Sequence, residues 1–269
     1  MNELATTAEL AEVNAIFADQ GQNVEEVIKI PFLKVQYDSA LFMKNPNCRM
    51  GMYSISGPHP IYSETVKMRV LLAHIQWRQQ NSEDFKMVNK SILMDNRGQE
   101  PIDMLGGVRC GRPDPDLWKD MSDAERKPFK DRVCTHVLRG LVSYKGIYAD
   151  GSEGLVDNQP VQFHMKGLNF MPIANIMRDF KKMGKNVRDV WLDMKTDLQG
   201  KTFVNNIEID YSTPALLDSA TVATVKVFNE QVRSENNFVK KQYYKAQGAV
   251  EHVDGADNDS YAAALEHSA

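Results

Sequence analysis

The sequence lacks any hydrophobic run long enough for a membrane-spanning helix, which needs about 18 consecutive apolar residues. Residues 1–22 are acidic and do not show the basic segment followed by an apolar segment that marks a signal peptide. Cysteine is scarce: Cys48, Cys110 and Cys134 are odd in number and far apart, which indicates free thiols in a reducing compartment. We therefore expect a cytoplasmic protein that has no membrane partner.

The common catalytic and metal-binding motifs are also missing. There is no G-x-x-x-x-G-K-[ST] phosphate loop, no G-x-S-x-G nucleophile motif, no C-x-x-C pair and no H-x₃-H pair. These absences disfavour a P-loop nucleotide site, a serine hydrolase and a zinc site. We expect no enzyme activity, no catalytic residue, no bound metal and no cofactor.

A large excess of positive charge is missing too, since the net charge at pH 7 is −4. The acids are concentrated at one end: residues 248–269 contain five acidic residues and no lysine or arginine. Without this segment's acids the chain has 32 basic and 31 acidic residues, so a nearly neutral body precedes an acidic tail. Such a tail is typical of a disordered segment that either recruits partner proteins or only improves solubility.

The most informative stretch is Ser63–Gln79, in which apolar and polar residues alternate as in a half-buried strand. Its odd-numbered side carries Lys67, Arg69 and Trp77. Two cations and a tryptophan on one side of a sheet would suit contacts with the phosphates and bases of a single strand. The alternative is a β-bulge at Val70-Leu71, which would turn Trp77 into the core and leave the cations in solvent.

The order of the patterns predicts an α+β fold that is mostly β. Strands are indicated up to about residue 166, then an amphipathic helix over 168–183, two strands over 187–211 and a long helix. A helix that precedes the last two strands matches the oligonucleotide-binding (OB) barrel, so we predict an elaborated OB-like barrel with one inserted helix. The predicted divisions are a helix or arm over 1–22, the OB-like domain over 23–213 with a long insertion loop at 95–131, the C-terminal helix over 214–247 and the disordered acidic tail over 248–269.

Basic residues concentrate where the groove of such a barrel would lie, and aromatic residues are interleaved with them. Phosphate neutralisation dominates nucleic-acid affinity, and each stacked base adds about 1–3 kcal/mol. A glycine-rich loop over 106–112 adds two arginines to a backbone that can approach phosphates closely. The alternative is a solvated surface with most of the rings in the core. The candidate nucleic-acid-binding residues are Lys67, Arg69, Trp77, Arg78, Tyr53, Tyr62, Lys86, Arg109, Arg112, Lys195 and Lys201.

A Mg²⁺-dependent nuclease is one alternative function. Asp193 and Lys195 lie on one predicted strand, and Glu208 and Asp210 lie on the next. Carboxylates on neighbouring strands can hold Mg²⁺, with a lysine assisting hydrolysis. The same arrangement is also typical of ordinary cross-strand ion pairs.

A structural or assembly protein is another alternative. The long C-terminal helix carries Phe228, Val232, Phe238 and Tyr243, which would suit contacts with a second copy of the chain. The chain would then oligomerise through this helix.

The layout resembles the single-stranded-DNA-binding proteins of tailed bacteriophages. The stretches that carry the resemblance are Ser63–Gln79, Asn186–Tyr211 and Gly248–Ala269. The resemblance implies an elaborated OB barrel, a basic aromatic groove and an acidic C-terminal tail. It further implies a non-catalytic protein that coats single-stranded DNA during replication, recombination or repair in the host-cell cytoplasm. Its partners would be single-stranded DNA and, through the tail, replication or transcription proteins.

Overall fold

The computed structural model describes residues 30–37, 45–80, 87–96, 102–105, 115–130 and 132–248, together with positions 39, 43 and 99. Several predictions fall elsewhere in the chain: those on the N-terminal arm, on nearly all of the acidic tail, and on Lys86, Arg109 and Arg112 lie outside the described residues. No described helix is both long and apolar enough to cross a membrane.

The described elements are mainly strands with a few helices, which confirms the predicted α+β fold that is mostly β. The helices predicted over 168–183 and 214–247 are observed at Phe170–Lys182 and Ser219–Ala246, and the two strands expected between them are observed at Trp191–Gln199 and Thr202–Asp210. In chain order the elements are β1 (Phe32–Val35), β2 (Tyr53–Ile55), β3 (Tyr62–Ser63), β4 (Thr65–Gln80), β5 (Met87–Lys90), α1 (Pro115–Asp120), α2 (Asp123–Lys130), β6 (Arg132–Ile147), β7 (Glu153–Lys166), α3 (Phe170–Lys182), β8 (Trp191–Gln199), β9 (Thr202–Asp210) and α4 (Ser219–Ala246).

Local signals set several helix ends. The Asp218 side chain caps α4 by accepting a hydrogen bond from the backbone N–H of Thr221, at 2.8 Å. In the insertion region, Glu125 accepts a hydrogen bond from the backbone N–H of Ser122 at 2.7 Å, and the Ser122 hydroxyl accepts one from the backbone N–H of Glu125 at 3.4 Å, which together form a capping box. After α3 the chain turns at Gly184, whose φ of 66° is in the left-handed region that favours glycine.

The strands form one curved sheet. Its order is β3-β2-β1-β7-β6-β4-β8-β9, and β5 pairs with β4. The long strands β4 and β6 are antiparallel neighbours from Lys67 opposite Ser143 to Gln79 opposite Arg132. On its other edge β6 pairs with β7 along most of its length, so β6 lies at the centre of the sheet.

A ring of pairings lies at one end of the sheet. Besides its pairing with β2, β3 pairs with β6 through Tyr62 opposite Ile147. At the other side β1 pairs with β7 in parallel, with Phe32 opposite Gln162. The pairings therefore run β1–β2–β3–β6–β7 and back to β1, while β4, β8 and β9 extend outwards from β6.

Each face of the sheet is covered by a helix. The main core cluster contains Val66, Met68 and Val70 of β4, together with Ile173 and Phe180 of α3. On the opposite face, apolar residues of α4 pack against the sheet; this second cluster consists of Leu71, Leu141, Trp191, Val222, Val225 and Phe228. The sheet therefore has an apolar cluster on each of its two faces.

Tyr53 and Tyr62 are core residues, which corrects their prediction as stacking rings. Tyr53 is fully buried, and its hydroxyl donates a hydrogen bond to Asn205 Oδ1 at 2.5 Å. Tyr62 is buried against Cys48 and Met52. Both rings point into the interior because the short strands β2 and β3 are covered on that side, so neither ring can stack on a base.

The two described cysteines are free thiols, as the sequence predicts. Cys48 is buried, and burial raises the pKa of its thiol. Cys134 is half-buried beside Ile75. Cys110 lies outside the described residues.

Candidate nucleic-acid interface

A β-bulge in β4 decides which of its side chains share a face. Val70 pairs with Gly140, and Leu72 pairs with the next residue of β6, so Leu71 is an extra residue in β4. This is the bulge that the sequence analysis named as an alternative. Since side chains alternate along a strand, one extra residue turns all later ones over. Even-numbered residues beyond the bulge, such as Arg78, therefore lie on the face covered by α4.

A row of basic and aromatic side chains crosses this face beside the second half of α4. The ring of Phe32 lies edge-on to that of His164, with the centroids 5.2 Å apart. His164 Nδ1 accepts a hydrogen bond from Arg78, and Arg78 is directly opposite Lys90 on β5. Lys90 Nζ lies 5.8 Å from the ring centre of Phe238 on α4. We call these five residues the basic–aromatic row.

The row is accessible at both ends. Phe32 is 39% exposed and Phe238 is 49% exposed. The side chain of Lys90 is 22% exposed beside the ring of Phe238. An exposed ring with a cation next to it can stack on an unpaired base and hold the adjoining phosphate.

The centre of the row is strongly electropositive. Burial is the largest cause that lowers the pKa of His164 to about 2, and four nearby cations contribute to the same shift: Arg78, Arg139, Lys166 and Lys90. An arginine can only donate hydrogen bonds, so the imidazole that accepts one from Arg78 is neutral. The positive charge of the arginines and lysines is therefore concentrated around a neutral histidine.

Stability is expected to fall as the pH drops from 6.5 towards 4, because two histidines stay neutral in the folded protein. Burial, with Arg139 nearby, lowers the pKa of His74 to about 4, and the pKa of His164 is lowered further. In this window the unfolded chain binds protons that the folded chain does not, so acid favours unfolding by about 1.4 kcal/mol per histidine per pH unit. Urea denaturation at several pH values measures this slope.

Substitution of a histidine distinguishes its contribution to this slope from the contribution of the carboxylates. His164→Gln should make the slope shallower between pH 6.5 and 4, whereas the same change at the exposed His59 should leave it unchanged. An unchanged slope in His164→Gln would show that this residue titrates normally in the folded protein.

Lys67 lies at the other end of β4, in a network of ion pairs. Its Nζ lies 2.6 Å from Asp210 Oδ2 and 3.7 Å from Asp193 Oδ1. The hydrogen bond to Asp210 is the main cause that raises the pKa of Lys67. Hydrogen bonds from Lys67, Ser212 and Thr213 hold the pKa of Asp210 far below its usual value. The charge of Lys67 is thus already compensated by two carboxylates.

Arg69 is a buried structural residue, which corrects its prediction as a phosphate contact. Its guanidinium donates hydrogen bonds to three backbone carbonyls: that of Arg188 at 2.9 Å, that of Leu216 at 2.6 Å and that of Ala215 at 2.5 Å. The side chain points towards the connection that leads into α4, which covers it. A phosphate cannot reach a guanidinium that is buried and bonded in this way.

Trp77 is half-buried and packs beside the cluster of Ile75, Ile92 and Met94. As its neighbour in a regular part of the strand, it lies on the opposite face of β4 from Arg78. The surroundings of Trp77 are therefore those of a core residue rather than of a residue in a binding groove. Trp77 and Arg78, adjacent in the sequence, cannot contact one ligand from the same side of the sheet.

Lys195 and Lys201 are exposed, but the structure does not bring them to the row. Lys195 is opposite Thr65 at the start of β4, whereas Arg78 is near the end of the same strand. At about 3.3 Å per residue, these two positions lie roughly 40 Å apart along β4. Of the predicted residues that the structure describes, only Arg78 belongs to the basic–aromatic row.

The carboxylates of the nuclease hypothesis are placed as cross-strand partners. Asp193 is opposite Lys67 on one side and Glu208 on the other. Asp210 accepts hydrogen bonds from Lys67 and Thr213. Among the described residues there is no group of three or more His, Cys, Asp or Glu side chains that could hold a metal ion.

Phe32 and His164 of the row were not predicted as part of a binding site, and Phe238 was predicted only as an assembly contact. β1 and β5 are four-residue strands, which are too short for alternation to define a face. Phe238 could have been recognised in the sequence as an exposed aromatic ring, because it lies beside the apolar stripe of α4 rather than on it. The buried apolar side chains of that stripe are Val222, Val225, Phe228, Val232 and Val239.

Comparison with known proteins gives little further information about this site. No protein-family model matches the chain. Protein mono-ADP-ribosyltransferase PARP4 of Mus musculus is 37% identical over 59 residues, which are 22% of this chain and 3% of that protein. The chain thus spans only a small fraction of the length of this relative, and the match is too short to indicate an activity. No solved structure matches.

Proposed function

We propose that the chain binds single-stranded DNA without strong sequence preference, as a non-catalytic protein of phage DNA replication, recombination or repair. The observation that carries the proposal is the basic–aromatic row, with its exposed rings at both ends and its cations between them. Phosphates would contact Arg78 and Lys90, and bases would stack on Phe32 and Phe238.

A single strand fits the row better than a duplex does. Ring stacking requires bases whose faces are free, and in a duplex those faces are covered by the neighbouring bases. The row runs across a sheet face beside α4, where a single strand can lie flat. It therefore favours an unpaired strand that lies along the surface.

The ring of strands β1, β2, β3, β6 and β7 supports an OB-like barrel as the scaffold of this function. A five-stranded barrel is the usual size for that fold. The proposed setting is the cytoplasm of the host cell. The acidic tail, which lies outside the described residues apart from its first position, would recruit replication or transcription proteins through its charge.

A titration of fluorescently labelled oligo-dT at several salt concentrations tests the proposal. Two neutralised phosphates, one at Arg78 and one at Lys90, predict a slope of roughly −1.4 in a plot of log affinity against log salt concentration. Phe238→Ala should weaken binding by about tenfold, because one stacking surface is lost. Lys90→Gln should weaken binding as well and make the salt slope shallower by nearly one.

Tyr211→Ala is the matched control for Phe238→Ala. Tyr211 is 65% exposed and has a lysine, Lys185, 6.0 Å from its ring centre, so it repeats the local chemistry of Phe238 at the far edge of the sheet. Equal losses in both variants would point to a diffuse surface rather than the row. Absence of binding at about 50 mM salt, where electrostatic attraction is strong, would overturn the proposal.

The assembly hypothesis requires apolar residues of α4 to be free to contact a second copy of the chain. Phe228 and Val232 are buried against the sheet of their own chain, so two of the four residues suggested for self-association are not available. Phe238 remains exposed, and Tyr243 is half-buried. Size-exclusion chromatography of Phe238→Ala distinguishes the two functions, because only an assembly role predicts a smaller oligomer.

A further inference from the structure

Arg139 lies at the floor of the basic–aromatic row and is fully buried. Its Nη2 donates a hydrogen bond to Glu235 Oε1 at 2.5 Å. Within the described part of the chain, Arg139 Nε and Nη1 and Arg78 Nε have no hydrogen-bond partner. A buried donor without a partner typically costs about 1–3 kcal/mol, so these nitrogen atoms indicate a place for an acceptor.

Among the described residues, the charges around this place are not balanced. The pKa of His164, which is neutral, is lowered by the positive charges of Arg78, Arg139, Lys90 and Lys166. Glu235 is the carboxylate whose negative charge attracts both buried arginines. It lies 3.9 Å from Lys90 Nζ, so three of the four cations face a single acid. A buried cation without a counter-charge is strongly destabilising, so the cluster favours an additional anion.

We propose that Arg139, Arg78 and Lys90 form a binding site for a phosphate monoester, such as the terminal phosphate of a DNA strand. The inference that the phosphate belongs to a strand end rests on the proposed function, whereas the affinity for phosphate does not. Arginine is suited to this role because its planar set of N–H donors matches phosphate oxygens.

Shape and charge both favour a terminal phosphate over one within the strand. A phosphodiester carries a nucleoside on each side, so it cannot reach an arginine that is fully buried below the row. A terminal phosphate is attached through one ester bond, so it can take the place of the Glu235 carboxylate, which is partly exposed and bonds to Arg139. It also carries a charge of about −1.5 to −2 at pH 7, which matches the excess of cations better than the single charge of a diester.

Glu235 is the competitor of this phosphate. Its side chain is 31% exposed, and its carboxylate already bonds to Arg139. Both groups carry negative charge and both approach the same cations, so the carboxylate opposes phosphate binding. Glu235→Gln should therefore increase the affinity for phosphate, and this is a change that a purely structural ion pair would not produce.

The test uses the full chain and short dT oligonucleotides with a 5′-phosphate, a 3′-phosphate or no phosphate, at about 50 mM salt. One phosphorylated form should bind about tenfold more tightly than the unphosphorylated form. Glu235→Gln should widen that preference by roughly fivefold, and Lys90→Gln should reduce it. Lys195→Gln, an exposed lysine remote from the row, should leave it unchanged.

Inorganic phosphate, measured by its effect on the melting temperature, separates the two sources of the ligand. A phosphate-dependent rise that Lys90→Gln abolishes, without any preference among the oligonucleotides, would support the site and assign it to free phosphate or a mononucleotide. Equal binding of all three oligonucleotides with no response to inorganic phosphate would overturn the site and leave the proposed function standing. Failure of every oligonucleotide to bind, with the phosphate response intact, would overturn the proposed function alone.

Discussion

Arg69→Met is expected to lower the free energy of unfolding by about 3–5 kcal/mol, which is a large part of the stability of an ordinary domain. The guanidinium of Arg69 donates hydrogen bonds to backbone carbonyls on both sides of β8 and β9: Arg188 before them, and Ala215 and Leu216 after them. Methionine fills a similar volume but leaves all three carbonyls without this donor. Each buried polar group that loses its partner adds to the loss of stability.

Urea denaturation of Arg69→Met measures this effect, and Lys67→Met is the matched control. Lys67 lies two residues away on the same face of β4, and its side chain is 44% exposed. The Asp210 carboxylate beside Lys67 is buried, but it keeps its hydrogen bonds from Ser212 and Thr213, so the control should lose less stability than Arg69→Met. A loss in Arg69→Met no larger than that of the control would show that the three carbonyls are easily satisfied by water.

The same variant separates structure from binding. At a temperature where Arg69→Met is still folded, its affinity for oligo-dT should equal that of the wild type, because Arg69 does not reach the surface. A selective loss of affinity without loss of stability would restore Arg69 as a phosphate contact.

Gly140→Ala is expected to destabilise the protein by about 3 kcal/mol or more. Gly140 is opposite Val70 at the bulge, and a Cβ atom added there would overlap the backbone carbonyl oxygen of Arg69 and lie 3.2 Å from Val70 Cα. Backbone atoms of a paired strand cannot move aside as a flexible side chain can. The substitution would therefore push β4 and β6 apart at the centre of the sheet.

Gly57→Ala is the control for this substitution, because a Cβ atom at Gly57 would meet nothing within 4 Å. Thermal melting of the two variants should show a large loss for Gly140→Ala and almost none for Gly57→Ala. A Gly140→Ala protein that melts within a few degrees of the wild type would mean that the bulge can relax without breaking the pairing of β4 with β6.

Regular periodicity made much of the fold predictable. The alternation in β4 and the helical spacing in α3 and α4 are strong local patterns, and they gave the correct element types. The bulge at Val70-Leu71 was a considered alternative because the apolar residues change sides there. The ends of short strands such as β5 could not be predicted, since four residues define neither a period nor a clear boundary.

Much less of the candidate site could be predicted, because it depends on what covers each face. Lys67 and Arg69 look alike in the sequence, yet one is half-exposed beside carboxylates and the other is buried beneath the start of α4. Arg78 and Arg139 come together with Glu235 only after β4, β6 and α4 have packed. No local pattern reports a contact between residues that are about a hundred positions apart.

The pairing order of the sheet has a consequence for how the chain is made. Phe32 of β1 finds its partner in Gln162, and Thr65 of β4 finds one in Lys195, so each pair spans 130 residues. During synthesis, β1 and β4 therefore each keep one edge unpaired until β7 and β8 leave the ribosome. Unpaired strand edges are prone to associate with other chains. A chain released early, before β7, would expose these edges permanently, so completing translation is itself a safeguard against aggregation.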